Sequence, residues 1–138
     1  MSGYLLDTHI WLWVQTNNTS YLHNLTPQEI GRWQRRGRLF LSAASIWELG
    51  VAHARGRVDL GTSIDRWLET ATEDGGIQLL QLTPRILLES TRLPGTFHRD
   101  PGDRMLVATA RDYDLTLVTR DERIIRYGEE GYVKVLER

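Results

Sequence analysis

The chain has 138 residues, with 17 basic and 18 acidic side chains, four His, no Cys and a formal net charge of −1. Its length and its 41% apolar content fit one globular domain spanning 1–138 and exclude a disordered chain or a multidomain machine. The missing Cys excludes disulfide frameworks, zinc ribbons and Cys nucleophiles, and fits a reducing compartment.

Gly3-Tyr4-Leu5-Leu6 is a short apolar run that reads as a buried strand. Asp7 and Thr8 follow, then a short helix over His9 to Val14. The run Tyr4 to Val14 carries Asp7 and His9 and has no basic flank or small-residue cleavage site, so it is not expected to be a signal peptide. No stretch approaches the roughly 20 apolar residues of a membrane span. A cytoplasmic location without membrane contact is expected, and the sequons at Asn17, Asn18 and Asn24 are expected to be silent.

Gln15 to Thr26 reads as a polar loop. Pro27, behind Thr26, opens a helix to about Arg36 that Gly37 ends. Leu39-Phe40-Leu41 is a second strand, and Ser42 caps a helix from Ala43 to about Arg55. Thr62 or Ser63 caps the next helix, which Gly75-Gly76 breaks. Ile77 to Leu82 is a third strand, and Thr83-Pro84 opens a helix through about Thr91. After a loop, Pro101 starts a helix to about Tyr113. Leu115 to Val118 is the fourth strand, a short helix follows Asp121, and Tyr132 to Leu136 is the last strand.

Short apolar strands that alternate with helices predict a parallel sheet covered on both faces. Such sheets bind ligands at the carboxyl ends of their strands. Acids cluster there. Asp7 ends the first strand, Asp100 and Asp103 bracket the start of a helix, and Asp121 follows the fourth strand. Helix capping is an alternative account of Asp7, Asp100 and Asp121. Glu48 has no such role, because it lies mid-helix in a segment apolar nearly all round, which predicts burial. A buried carboxylate must be paired, protonated or bound to a cation. If these acids share one pocket, oxygen-only ligation suits a hard ion such as Mg²⁺ or Mn²⁺, and so phosphate chemistry.

These blocks resemble the PIN-domain ribonucleases of the VapC toxin type. The residues that carry the likeness are Leu5-Leu6-Asp7-Thr8-His9, Leu41 to Leu49, His98 to Ala110 and Leu117-Val118-Thr119-Arg120-Asp121. The resemblance implies a three-layer α/β/α sandwich with a mostly parallel five-stranded sheet. It implies a metal-dependent endoribonuclease toxin that hydrolyses RNA phosphodiesters, is neutralised by an antitoxin, and is commonly a homodimer. Its acidic quartet maps onto Asp7, Glu48, Asp103 and Asp121. Asp7 and Asp103 would hold a first Mg²⁺ or Mn²⁺, with Glu48 and Asp121 completing the pocket. Asp100 matches an extra acid of a subgroup, and Thr8 and Thr119 match supporting hydroxyls. Gly102 departs from that subgroup, which often has an aromatic residue there.

Positive charge should rim such a pocket. Arg99, Arg104, Arg120 and Arg123 flank the acids and are candidates for RNA phosphate. Arg32, Arg35, Arg36 and Arg38, with Trp33, read as a solvated helix face or a partner surface. Trp11, Trp13, Trp47 and Trp67 read as core or dimer interface, and His9, His53 and His98 as structural. Two other functions stay open. One is a catalytically silent PIN-like module that binds RNA or protein. The other is a phosphatase with an Asp nucleophile, weakened because no acid stands two residues after Asp7.

Overall fold

The computed structural model describes residues 3–16, 25–73 and 76–138. The sequons, most of the loop predicted after Val14, and the break at Gly75 lie outside the described residues.

The strands are β1 (Tyr4–Leu6), β2 (Leu39–Ser42), β3 (Gln78–Leu80), β4 (Thr116–Thr119) and β5 (Lys134–Glu137). They form one five-stranded sheet in the order β3-β2-β1-β4-β5. Every neighbouring pair is parallel, so the expected "mostly parallel" sheet is wholly so. The helices are α1 (Thr8–Gln15), α2 (Pro27–Arg35), α3 (Ala43–Ala54), α4 (Ile64–Glu73), α5 (Pro84–Ser90), α6 (Pro101–Asp112) and α7 (Glu122–Glu129).

Strand residues point alternately to the two faces, and each face has its own core. Leu5 and Leu117 pack with Ile86 of α5, Leu106 and Val107 of α6, and Ile124 of α7. Leu6, Leu41 and Val118 pack with Trp11 of α1, Ile30 and Trp33 of α2, and Leu49 of α3. The result is the expected three layers. Among the described residues no helix is long and apolar enough to cross a membrane.

The helix starts follow their caps. Thr26 accepts from the Glu29 amide at 3.1 Å, Ser42 from Ala44 at 3.0 Å and Thr83 from Ile86 at 3.2 Å. Of the two candidates before α4, Ser63 accepts from the Arg66 amide at 3.2 Å. β3 is shorter than predicted, because it is an edge strand paired only with Phe40, Leu41 and Ser42 of β2. β5 begins later than Tyr132, whose ring stacks on Tyr127 with centroids 4.8 Å apart.

One expectation about α3 fails. Only Ala44, Ser45 and Leu49 of this helix are buried, and Trp47 is 49% exposed rather than core. The many small residues of α3 hide which side faces the sheet. Its open side walls a cleft of about 1040 Å³ against α1, lined by Leu12, Trp13, Trp47 and Val51 and reaching Glu48 and Asp100.

Candidate active site

β1 lies between β2 on one side and β4 on the other, so the chain's path across the sheet switches direction there. Asp7 and Asp121 follow the carboxyl ends of β1 and β4, the place where such sheets bind ligands.

Asp7 occupies the N-cap position of α1, yet its side chain makes no capping bond. Instead its Oδ2 accepts the Thr119 hydroxyl at 2.6 Å, and Thr119 Oγ1 accepts the Asp121 amide at 3.0 Å. Asp7 is only 6% exposed. Capping therefore does not explain why an acid stands here.

Asp100 and Asp121 do cap. Asp100 Oδ1 accepts from the amides of Gly102 at 2.9 Å and Asp103 at 3.2 Å. Asp121 Oδ1 accepts from the amides of Arg123 at 2.8 Å and Ile124 at 3.3 Å. In both, the capping bonds use Oδ1 and leave Oδ2 free of them.

Glu48 reaches the same edge from the second turn of α3. Its Oε1 accepts the Thr8 hydroxyl at 2.7 Å, and Thr8 Oγ1 lies 2.8 Å from the buried Ser45 hydroxyl. With its one proton given to the carboxylate, Thr8 is left to accept from Ser45. Among the described residues no Arg or Lys forms an ion pair with Glu48. The structural ion pair that would have explained a mid-helix acid is not there.

Glu48, Asp100 and Asp103 each offer a carboxylate oxygen, all within 4.8 Å of one another. Asp100, expected to be a supporting acid, thus stands in the tightest group. Asp7 lies outside that group but is coupled to it, since its charge raises the pKa of both Glu48 and Asp103.

The electrostatics show how poorly these charges are compensated. Burial, then repulsion from Asp7, Asp100, Glu48 and Asp121, pushes the Asp103 carboxyl up to about 8. Burial also raises Asp7, which the Thr119 hydroxyl and His9 offset only in part. Burial raises Glu48 against the pull of Thr8, and Asp7 and Asp100 add to the rise. Asp121 goes the other way. Burial alone would raise it, but the side-chain and amide hydrogen bonds from Arg123 leave it below the usual carboxylate range.

His98 is the residue whose place sequence reasoning missed. Its Nε2 lies 3.0 Å from Asp103 Oδ2, close but not aligned as a hydrogen bond. Burial, then the Arg123 charge, lowers its pKa, so it contributes little positive charge near neutrality. The signal was its place in the His98-Arg99-Asp100-Pro101 run. A histidine just ahead of a helix start can fold back over the first turn.

The four flanking arginines divide. Arg104 is not placed for phosphate, because its guanidinium donates to the carbonyls of Ser90 at 2.8 Å, Phe97 at 3.0 Å and His98 at 3.1 Å. It braces the loop that carries His98. Arg123 leans over the acids, 3.3 Å from Asp121 and 3.8 Å from Asp103. Arg120 sits 5.8 Å from the centre of the Trp13 ring, and Arg99 is exposed.

The chain matches the family described as "PIN domain" over residues 4–130. It is similar to Ribonuclease VapC22 of Mycobacterium tuberculosis, 29% identical over 124 residues that cover 90% of this chain and 91% of that protein. Its fold is similar to a chain of DNA-bound VapBC from Salmonella typhimurium, with a TM-score of 0.67, 16% identity and 99% and 98% of the two chains covered. It is also similar to a chain of VapBC2 from Rickettsia felis bound to a promoter DNA fragment, with a TM-score of 0.69, 14% identity and the same coverage of 99% and 98%.

Proposed function

The chain belongs to the PIN domain family, and from that premise we propose that it is a divalent-cation-dependent endoribonuclease acting as the toxin of a toxin–antitoxin pair. The observation that carries this reading is the poorly compensated acid group. Glu48, Asp100 and Asp103 converge within 4.8 Å, Asp7 charges them further, and no Lys or Arg among the described residues pairs with Glu48. Like charges held this close either keep protons or neutralise a cation. An all-oxygen donor set fits Mg²⁺ or Mn²⁺.

Asp103, Glu48, Asp100 and Asp7 would hold the ion. Bound there, it would supply Lewis acidity toward a phosphoryl oxygen and make water nucleophilic near neutral pH. The reaction is hydrolysis, in which water adds at phosphorus and the ribose 3′-oxygen leaves. The chain's own residues prepare for it. Thr119 fixes the rotamer of Asp7, and Thr8 with Ser45 fixes Glu48. Asp121 orients Thr119 through its amide and holds Arg123 near the cup. Arg123, Arg120 and Arg99 supply positive charge toward the phosphate backbone.

The relative's name, Ribonuclease VapC22, supports the RNA substrate. The structural neighbours named as VapBC complexes support an antitoxin partner. A homodimer belongs to the same reading. The test is cleavage of single-stranded RNA by the purified protein in Mg²⁺ or Mn²⁺. EDTA, Asp7→Asn and Asp103→Asn should each abolish it. Full cleavage under any of the three would refute the metal mechanism.

A further inference from the structure

The cleft between α1 and α3 opens directly onto the acid group, since Glu48 and Asp100 belong to its lining. Residues four apart on a helix share a face. Trp47, Val51 and Arg55 therefore form one wall from the α3 side, and His9 and Trp13 stand on the α1 side. Trp47 is half in solvent, and among the described residues it stacks on no other ring. It is the residue before Glu48, so its Cα lies about 3.8 Å from that of a cup acid. A large flat apolar face stands open beside the acids.

The charges around the cleft say what the face is for. Beyond the acids of the cup its lining holds two arginines, Arg55 and Arg57, against one acid, Asp59. Arg120 lies over the Trp13 ring. A ligand that matches aromatic walls with cationic ends has flat faces joined by negative charges, and single-stranded RNA has both. In a duplex each base is already covered by its neighbours, so an indole platform takes an unpaired one. The cleft is also continuous with the place where the nuclease reading puts the scissile phosphate. A strand whose phosphate meets the cation brings a neighbouring base to this wall.

We propose that Trp47 is a substrate-binding residue, whose indole face stacks on an unpaired base next to the scissile phosphate and so restricts cleavage to single-stranded RNA. The inference rests on the nuclease reading and adds how that site selects its strand. Trp47 touches no reacting atom, so it acts on KM rather than kcat.

The experiment follows cleavage by the Mn²⁺-loaded protein of a mixed-sequence single-stranded RNA oligonucleotide and of its duplex. A further series of strands carries one abasic nucleotide, placed in turn at each position flanking the cut. The proteins are the wild type, Trp47→Ala and Trp47→Phe. Trp47→Ala should raise KM for the intact strand about 5- to 100-fold, the range of one lost base–aromatic stack, with little change in kcat. Trp47→Phe should keep most of the affinity. With the abasic nucleotide at the stacked position, wild type and Trp47→Ala should differ less than about twofold, because the partner is already gone. Equal KM values on the intact strand, an undiminished difference at every abasic position, or duplex cut as well as single strand overturns the proposal. A Trp47→Ala effect confined to binding of a protein partner, with RNA kinetics unchanged, overturns it in favour of protein docking. Should Trp47→Ala fail to fold, Trp47→Leu, which keeps apolar bulk without a ring, takes its place under the same criteria. A wild type that cleaves RNA with a KM indifferent to position 47 overturns this inference alone. A wild type that cleaves no RNA in Mg²⁺ or Mn²⁺ overturns the nuclease reading, and this inference with it.

Discussion

Thr119 gives its hydroxyl proton to Asp7 Oδ2 at 2.6 Å, across 112 positions of sequence. The bond stitches the ends of two adjacent strands and leaves the other Asp7 oxygen free of it. Thr119→Val should leave the buried Asp7 without its donor, costing about 1–3 kcal/mol of stability and lowering RNA cleavage by about 10- to 100-fold. Thr119→Ser should keep most of both. Chemical denaturation and single-turnover cleavage measure the two effects, and a fully active Thr119→Val would show that the bond does not position Asp7.

The raised Asp103 carboxyl sets a pH dependence. Unfolded, Asp103 titrates near 3.8, and folded it titrates at about 8. Below both values the proton is bound in both states and nothing is lost. Between them the unfolded chain releases a proton that the folded protein keeps, so stability falls as pH rises and levels off above about 8. The raised carboxyls of Asp7 and Glu48 act in the same direction. Metal-free melting temperatures should therefore fall from pH 4 to pH 8 more steeply in the wild type than in Asp103→Asn. Added Mn²⁺ should recover the loss in the wild type only. Parallel curves for the two proteins would show that Asp103 does not titrate this way.

Glu48→Gln keeps an acceptor for the Thr8 hydroxyl and removes a half-buried charge that no Lys or Arg among the described residues pairs with. The metal-free protein should gain about 1 kcal/mol, while RNA cleavage drops. A loss of stability in calorimetry would mean that the carboxylate is structurally paired after all.

Two arginines that look alike in sequence should behave oppositely. Arg104→Met leaves the carbonyls of Ser90, Phe97 and His98 without their donor and should cost about 2 kcal/mol or more. Arg99→Ala, at an exposed position, should stay within about 0.5 kcal/mol of the wild type. It should raise KM for RNA and flatten the salt dependence of binding. If Arg99→Ala changes neither, that side chain does not meet the backbone of the substrate.

Much of the fold was legible because its signals are local. Apolar runs such as Leu5-Leu6 and Leu117-Val118 mark strands buried on both sides, and Thr26, Ser42, Thr83, Asp100 and Asp121 each cap the helix that follows them. The acids were legible as a set because the carboxyl edge of a parallel sheet gathers whatever follows each strand. Relations between segments were not. Asp7 has the residue type and place of a cap but bonds to Thr119 instead, a choice made by the neighbouring strand. Arg104 is one residue past Asp103, yet the rotation of about 100° per helical residue aims it at the Phe97–His98 loop rather than at solvent. The exposure of Trp47 was hidden by the small side chains around it, which give α3 no clear apolar stripe.

The middle strand of the sheet is also the first to be synthesised. β1 pairs on one side with β2 and on the other with β4, which ends at Thr119. A nascent chain still on the ribosome holds Asp7 long before it holds the hydroxyl and the strand that bury it. The buried setting of Asp7 thus comes together only after β4 has been made, and a prematurely released fragment lacking β4 carries the first acid without that setting.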